Sequence, residues 1–290
     1  MSMISGVLDR VAKARGLDGV AEPLAGVVRG VLPAGPVADT LHGVWLGHPV
    51  HPVAVQVTLG AWASAAVLDL AGGDRDAARR LVGVGLLAAP GAIAAGWADW
   101  VELEPEQRRV GLVHAAANAV ATTCFAVSYL ARRRGRHRGG VLAGLAGLAA
   151  GGLGGVLGGH LAYAQGAGAN HAESELRMAG TGWHDLGPLA DYPVGTPVGR
   201  SAGAAPVVVC RHEGGVAVLA SVCSHVGGPL HEGTIEDGCL VCPWHESRFA
   251  LADGSVRRGP ATAGQPTLET RLVDGNLQVR ADAAGSHWEG

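Results

Sequence analysis

The sequence predicts an α+β multidomain chain, an N-terminal four-helix transmembrane bundle followed by a small all-β domain, and three observations predict it. Of its 290 residues 48% are hydrophobic and only 16% charged, a balance too apolar for an ordinary soluble protein. Four apolar stretches, at about 52–71, 81–100, 110–131 and 140–164, each approach the roughly 20 residues that a helix needs to cross the hydrocarbon core. Beyond residue 183 the pattern changes to short β-branched runs, 207–209, 216–219, 234–241 and 268–273, punctuated by Gly, Pro and Asp.

In chain order, residues 1–40 form an amphipathic N-terminal segment. Ile4, Val7, Leu8 and Val11, then Leu24, Val27, Val28 and Val31, recur at helical spacing, which suits helices lying on a membrane surface or packed on the protein. Asp9, Arg10, Lys13, Arg15, Asp18, Glu22 and Arg29 interrupt any run that would serve as the apolar core of a signal peptide. Residues 41–164 form the four-helix domain. Its fourth helix carries Gly147, Gly151, Gly155 and Gly159 at four-residue spacing, a stripe expected to let helices approach closely. A Gly, Ala and polar stretch at 165–182 reads as a linker, 183–282 as the β domain and 283–290 as a tail.

Net charge is −3 and Lys13 is the single lysine, so no broad basic surface offers itself to nucleic acid. Arginine instead marks the loops. Arg75, Arg79 and Arg80 lie between helices one and two, and Arg132, Arg133, Arg134, Arg136 and Arg138 between three and four, whereas Arg108 and Arg109 are balanced by Glu102, Glu104 and Glu106. The positive-inside rule puts the two arginine-rich loops in the cytoplasm, and both termini with the β domain outside it, in a bacterial cell membrane.

Five cysteines, at 124, 210, 223, 239 and 242, are too few and too unevenly spaced for a disulfide-stapled fold. Two stand beside histidines, in Cys223-Ser224-His225 and Cys242-Pro243-Trp244-His245, with sixteen residues between the boxes. Two thiolates and two imidazoles suit either zinc or an iron–sulfur cluster in which imidazoles replace thiolates on one iron. Cys124, Cys210 and Cys239 lie in apolar runs, where a buried inert thiol is the ordinary case.

The wider segments C-S-H-V-G-G-P-L from Cys223 and C-P-W-H-E-S-R-F from Cys242, with Asp253-Gly254 and Gly259-Pro260-Ala261, resemble the Rieske domain family over about residues 183–282. The resemblance implies a [2Fe-2S] cluster with Cys223 and Cys242 on one iron and His225 and His245 on the other. Ser247 matches a serine that can hydrogen-bond the cluster sulfur. Rieske proteins of quinol-oxidising complexes add a cysteine to each box, joined as a disulfide; the matching positions here are Gly228 and Trp244. The resemblance is therefore to Rieske ferredoxins and oxygenase Rieske domains, which implies the lower part of a range of about −150 to +300 mV. A second departure is Glu246, where the family usually has glycine.

Leu46-Gly47-His48-Pro49-Val50-His51-Pro52 resembles the G-H-P-x-H-P box of a bacterial family of four-helix membrane domains, over roughly residues 40–165. Threading the helices alternately through a bilayer brings His48, His51, Asp99, His114, Asn118 and His160 toward one face, marked also by Trp45, Trp97 and Trp100. Such residues can hold a haem or metal or hydrogen-bond a quinone; equally, they can sit in the headgroup region, satisfied by water and each other. Asp69 falls at the opposite face, where it would simply end helix one.

The expected function is that of a membrane-anchored Rieske iron–sulfur protein, an oxidoreductase-type one-electron carrier. Its donor and acceptor are protein, quinone or haem. The alternatives are the electron-transfer component of a multi-subunit oxygenase and a membrane redox sensor. A self-contained oxygenase is not expected, because the two-histidine, one-carboxylate iron domain it requires would have to follow residue 282.

Overall fold

A computed structural model describes residues 3–281, so the tail read at 283–290 lies outside the described residues. The chain divides into two compact units. One runs to Ala34 and resumes over Pro49–Ala167; the other joins Gly35–His48 to the residues from Gly168 on.

The first unit is helical: α1 (Met3–Ala12) and α2 (Asp18–Val31), then α4 (Val50–Leu70), α5 (Arg75–Trp100), α6 (Pro105–Arg133) and α7 (His137–Tyr163). The last four are long and apolar enough to cross a membrane. All four begin before the apolar stretch that announces them, and α5, α6 and α7 do so because their first turns are polar and hydropathy does not register them. Asp74 caps α5 by accepting the Asp76 and Ala77 amides, at 2.7 and 3.3 Å, and Glu104 and Gln107 form a capping box before α6. The amphipathic α1 and α2 pack on the protein: Leu8 and Ala12 against Val110, Leu157 and Leu161, and Ala21 and Ala25 against Trp100 and Val101. Arg109 fixes them further, gripping both Asp18 carboxylate oxygens at 2.7 and 2.9 Å.

Glycine sets the contact between α6 and α7, though not along the stripe of four-residue spacing. The buried positions are Gly140, Gly144, Gly147, Gly151 and Gly154, and Gly155 is exposed. A strict step of four overshoots a turn of about 3.6 residues and walks around the helix, whereas alternating steps of four and three keep to one face. A methyl group on Gly147 would stand 2.8 Å from the Phe125 ring. Phe125 stacks in turn on Trp62 of α4, with ring centroids 4.0 Å apart.

Asp69 does more than end α4. Its carboxylate takes Arg132 Nη1 and Nη2 at 2.9 and 2.5 Å, and Arg132 Nε donates to Ser128 Oγ at 3.1 Å. The Arg132 and Asp69 side chains are only 2% and 5% exposed. Arg132 is thus a buried tie between α4 and α6 rather than a free loop charge.

Among the described residues, the second unit holds ten strands in three antiparallel sheets, in the order β1 (His184–Pro188), β10 (Asn276–Ala281), β9 (Leu268–Val273), then β2 (Pro197–Ala202), β3 (Ala205–His212), β4 (Gly215–Ala220), then β5 (Thr234–Glu236), β6 (Cys239–Val241), β7 (Arg248–Ala250), β8 (Val256–Arg258). One core gathers Leu186, Tyr192, Val207, Val209, Leu277 and Val279; the other gathers Val208, Leu219, Leu230, Leu240 and Phe249 around Cys223 and Cys242. Two segments that composition sets apart from the β domain pack with it. Residues 168–180, inside the stretch read as a linker, bury Ala172 and Ala179, and Met178 O accepts the Ala204 amide at 3.2 Å. Residues 35–48, split by composition between the N-terminal segment and the bundle, supply helix α3 (Pro36–His42). Small residues mimic a linker in composition while allowing close approach to a sheet.

Breaking the buried ion pair from one side leaves an uncompensated charge. Arg132→Ala is expected to cost about 3–5 kcal/mol, and the double variant Asp69→Ala/Arg132→Ala clearly less, in unfolding of the detergent-solubilised protein.

Candidate metal centre

The two Cys–His boxes sit on two loops of one design. The first follows β4 and the second joins β6 to β7. In the first, the Cys223 amide donates to Gly228 O at 2.8 Å and the Gly227 amide to Cys223 O at 3.0 Å; in the second, the Cys242 amide donates to Ser247 O at 2.9 Å and the Glu246 amide to Cys242 O at 3.1 Å. Each loop closes by the same pair of bonds. Each also turns through a left-handed residue at the same position, Gly227 with φ 81° and Glu246 with φ 57°. Only glycine takes that conformation without a steric penalty, which explains the family's preference at position 246 and makes Glu246 a strained substitute.

A third loop, after β8, clamps the first. Gln265, 2% exposed, accepts the Ser224 amide at 3.1 Å and donates to Ala220 O and Val222 O at 2.8 and 2.6 Å. Ser224 Oγ donates to Ala263 O at 2.8 Å. The buried Ser247 hydroxyl accepts the Ala261 amide at 3.0 Å, which leaves its own proton to give. Nothing in the spacing of the boxes pointed to Gln265; burial and satisfied hydrogen bonds identify it.

The loops bring the four residues together two and two. The Cys223 and Cys242 thiols are buried and hydrogen-bonded to each other. Their mutual hydrogen bond and burial push the Cys223 thiol up, while that bond and the Trp244 and His245 amides hold Cys242 down. The His225 and His245 rings lie 5.1 Å apart and perpendicular. Burial holds His225 down at about 3, so it stands as a neutral imidazole with a lone pair. Its Nδ1 is buried with no hydrogen-bond partner, the condition of a donor reserved for a metal. Among the described residues no three His, Cys, Asp or Glu converge on a point that one ion could occupy. Paired thiols beside paired imidazoles suit a two-iron cluster better than a single zinc. A Cβ on Gly228 would stand 3.2 Å from the Trp244 ring, so the two positions where other Rieske proteins carry a disulfide do face each other. Cys210 is inert, its buried thiol pushed up to about 12.

In the helical unit, the residues read as a second site are partly assembled. His51 Nδ1 donates to Ala92 O at 2.7 Å and His114 Nδ1 to Gly154 O at 2.8 Å, so both imidazoles carry their lone pair on Nε2. Asn118 Nδ2 donates to His114 Nε2 at 3.1 Å, and the two rings meet edge-on at 6.2 Å. Glycines make the room: a Cβ on Gly96 would strike His51 and one on Gly154 would strike Asn118. Asp99 follows Gly96 by three residues on α5 and His160 follows Gly158, which faces His114, by two on α7, whereas His48 belongs to the other unit.

Residues 182–269 match the Rieske [2Fe-2S] domain family and residues 47–171 match Predicted membrane protein (DUF2231). The anthranilate 1,2-dioxygenase ferredoxin subunit of Burkholderia cepacia is 33% identical over 97 residues, 33% of this chain and 90% of that protein. The 3-ketosteroid-9-alpha-monooxygenase oxygenase component of Mycobacterium tuberculosis is 37% identical over 112 residues, 36% of this chain but only 29% of its own length. Among solved structures, a complex of reduced oxygenase and oxidized ferredoxin in carbazole 1,9a-dioxygenase matches at 26% identity and a TM-score of 0.33, over 34% of this chain and 94% of that one. The chain belongs to the Rieske [2Fe-2S] family through its β domain. Its relatives there include a dioxygenase ferredoxin subunit and a monooxygenase oxygenase component.

Relieving the left-handed Glu246 is expected to stabilise the β domain: Glu246→Gly should gain about 1 kcal/mol, read as an upward shift of its thermal transition. Gln265→Leu strands one amide and two carbonyls and should cost about 1–3 kcal/mol, with lower iron and sulfide content per chain.

Proposed function

We propose that this protein is a membrane-anchored one-electron carrier, its [2Fe-2S] cluster held by Cys223 and Cys242 on one iron and by His225 and His245 on the other. The observation that carries the proposal is the two-and-two arrangement of these side chains on loops closed by the same backbone bonds. When bound, the cluster supplies exchange of one electron at a time. The chain's own residues hold and tune it. The buried thiols keep one end dry, the half-buried imidazoles make the edge nearest solvent, and Ser247 keeps a proton to donate toward a cluster sulfur. With four protein ligands no coordination position is left for a substrate.

The four long apolar helices support anchoring in a bilayer. The arginine distribution supports an extracytoplasmic cluster domain; setting Arg132 aside as buried leaves four arginines from 133 to 138 and three at 75, 79 and 80 on the opposite side. For the membrane-side partner, the His51–His114 pair is the place, the Nε2 lone pair of His51 suited to a haem iron or to the hydroxyl of a reduced quinone while that of His114 accepts from Asn118. A second reading, the electron-transfer component of a multi-subunit oxygenase, is favoured by the match to nearly the whole of a dioxygenase ferredoxin.

Purified protein reduced with dithionite should give a Rieske EPR signal, lost in His225→Ala and in His245→Ala. Full iron and sulfide loading without that signal would refute the ligand assignment. An optical spectrum and a solvent extract of the same sample decide between haem and quinone, since the bands or the bound quinone should disappear in His51→Ala/His114→Ala. Protease added to intact spheroplasts should cleave the β domain, whereas protection would place it in the cytoplasm.

A further inference from the structure

Helix α2 carries two opposite edges beside its packed face. With about 3.6 residues per turn, Asp18, Glu22 and Arg29 share one narrow sector of the helix, and Val20, Val27 and Val31 share another on the far side. Between them Ala21 and Ala25 are buried against Trp100 and Val101, with Leu24 and Val28 packed alongside. Each charge finds a partner on the protein: Arg109 holds Asp18, Arg108 Nη2 donates to Glu22 Oε1 at 2.9 Å, and Arg29 Nη2 donates to Val101 O at 2.7 Å. Asp18 and Arg29 are separated by about 16 Å of helix, at about 1.5 Å per residue. Their partners nonetheless lie together at the turn between α5 and α6, where Trp100 Nε1 donates to Arg108 O at 2.9 Å, so α2 lies across the end of the bundle.

With the charged edge tied to that turn, the opposite edge faces back along the spans, where Trp97 and Leu112, each about one turn in from α2's partners, pack against the α2 core. Val20, Val27 and Val31 are 57%, 61% and 81% exposed there. The rest of the outward surface is Gly19, Pro23, Gly26 and Gly30, so none of its side chains can hydrogen-bond to water. Beyond Leu112, the same line of α6 continues outward-facing through Ala116, Val120 and Val127. A helix that spends its charges on the protein and exposes only apolar groups is built to face hydrocarbon.

We propose that α2 is an interfacial membrane helix whose valine edge is sunk among the acyl chains of the bilayer that α4–α7 span, with its charged edge at the level of the headgroups. The inference rests on the reading of those four helices as membrane spans. Lipid is the occupant because the valine edge runs on into the apolar outer line of α6, and the Trp97 and Trp100 indoles beside it mark the same interface.

The test uses the full-length protein in phosphatidylcholine nanodiscs, with the photoreactive amino acid p-benzoylphenylalanine in place of Val27 or Val31. The same group in place of Val127 of α6 reports on the spans, and in place of the exposed Leu272 of β9 on chance encounter. On irradiation the ketone carbon bonds to a lipid chain carbon, whose hydrogen passes to the ketone oxygen, so the intact mass rises by that of one lipid. Adduct yields at Val27 and Val31 should match that at Val127 within threefold and exceed that at Leu272 severalfold. Adducts at Val127 with yields at Val27 and Val31 no higher than at Leu272 would overturn the proposal, as would cross-linked dimers in place of lipid adducts at those two positions. Absence of lipid adducts at Val127 would instead refute the spans.

Discussion

The β domain is organised around the pair of backbone bonds that closes each Cys–His loop. Cysteine amide to a carbonyl five residues on, and amide four residues on back to the cysteine carbonyl, hold both sulfurs inward and both imidazoles at the rim. The sheets carry these loops, and Leu230, Leu240 and Phe249 pack beneath them. Gln265 then locks the first loop by satisfying three backbone groups at once, so preorganisation comes from ordinary hydrogen bonds between chain segments that the sheets bring together.

Repetition of one loop design also explains the residue that breaks the family pattern. Gly227 and Glu246 occupy the same left-handed position, so the energetic cost of Glu246 falls on backbone geometry rather than on ligand identity. The two Cys and two His side chains are untouched by it. The chain carries the strain on the loop that holds Cys242.

Much of this architecture could be read from residues alone, and its failures have physical causes. Four apolar runs and two Cys–His boxes are strong signals, because crossing hydrocarbon and binding iron each demand particular side chains at particular spacing. Helix starts were missed where Asp74 and Glu104 cap polar turns, since hydropathy measures side chains and capping satisfies the backbone. The glycine stripe was misplaced because a count of four ignores the helical period. Gln265 was invisible for a different reason. It meets the first Cys–His loop through tertiary contacts between distant stretches of chain, which no local pattern encodes.

The buried Asp69–Arg132 tie has a consequence for biogenesis. The two charges belong to the first and third long apolar helices, and a lone ionised group within a membrane helix is penalised by up to about 2.5–3.5 kcal/mol at mid-depth and less near the ends. Asp69 leaves the ribosome more than sixty residues before Arg132 does. Until α6 is delivered, α4 carries an acid without its counterion, and integration of the helices becomes a cooperative event in which the earlier segment is secured by the later one.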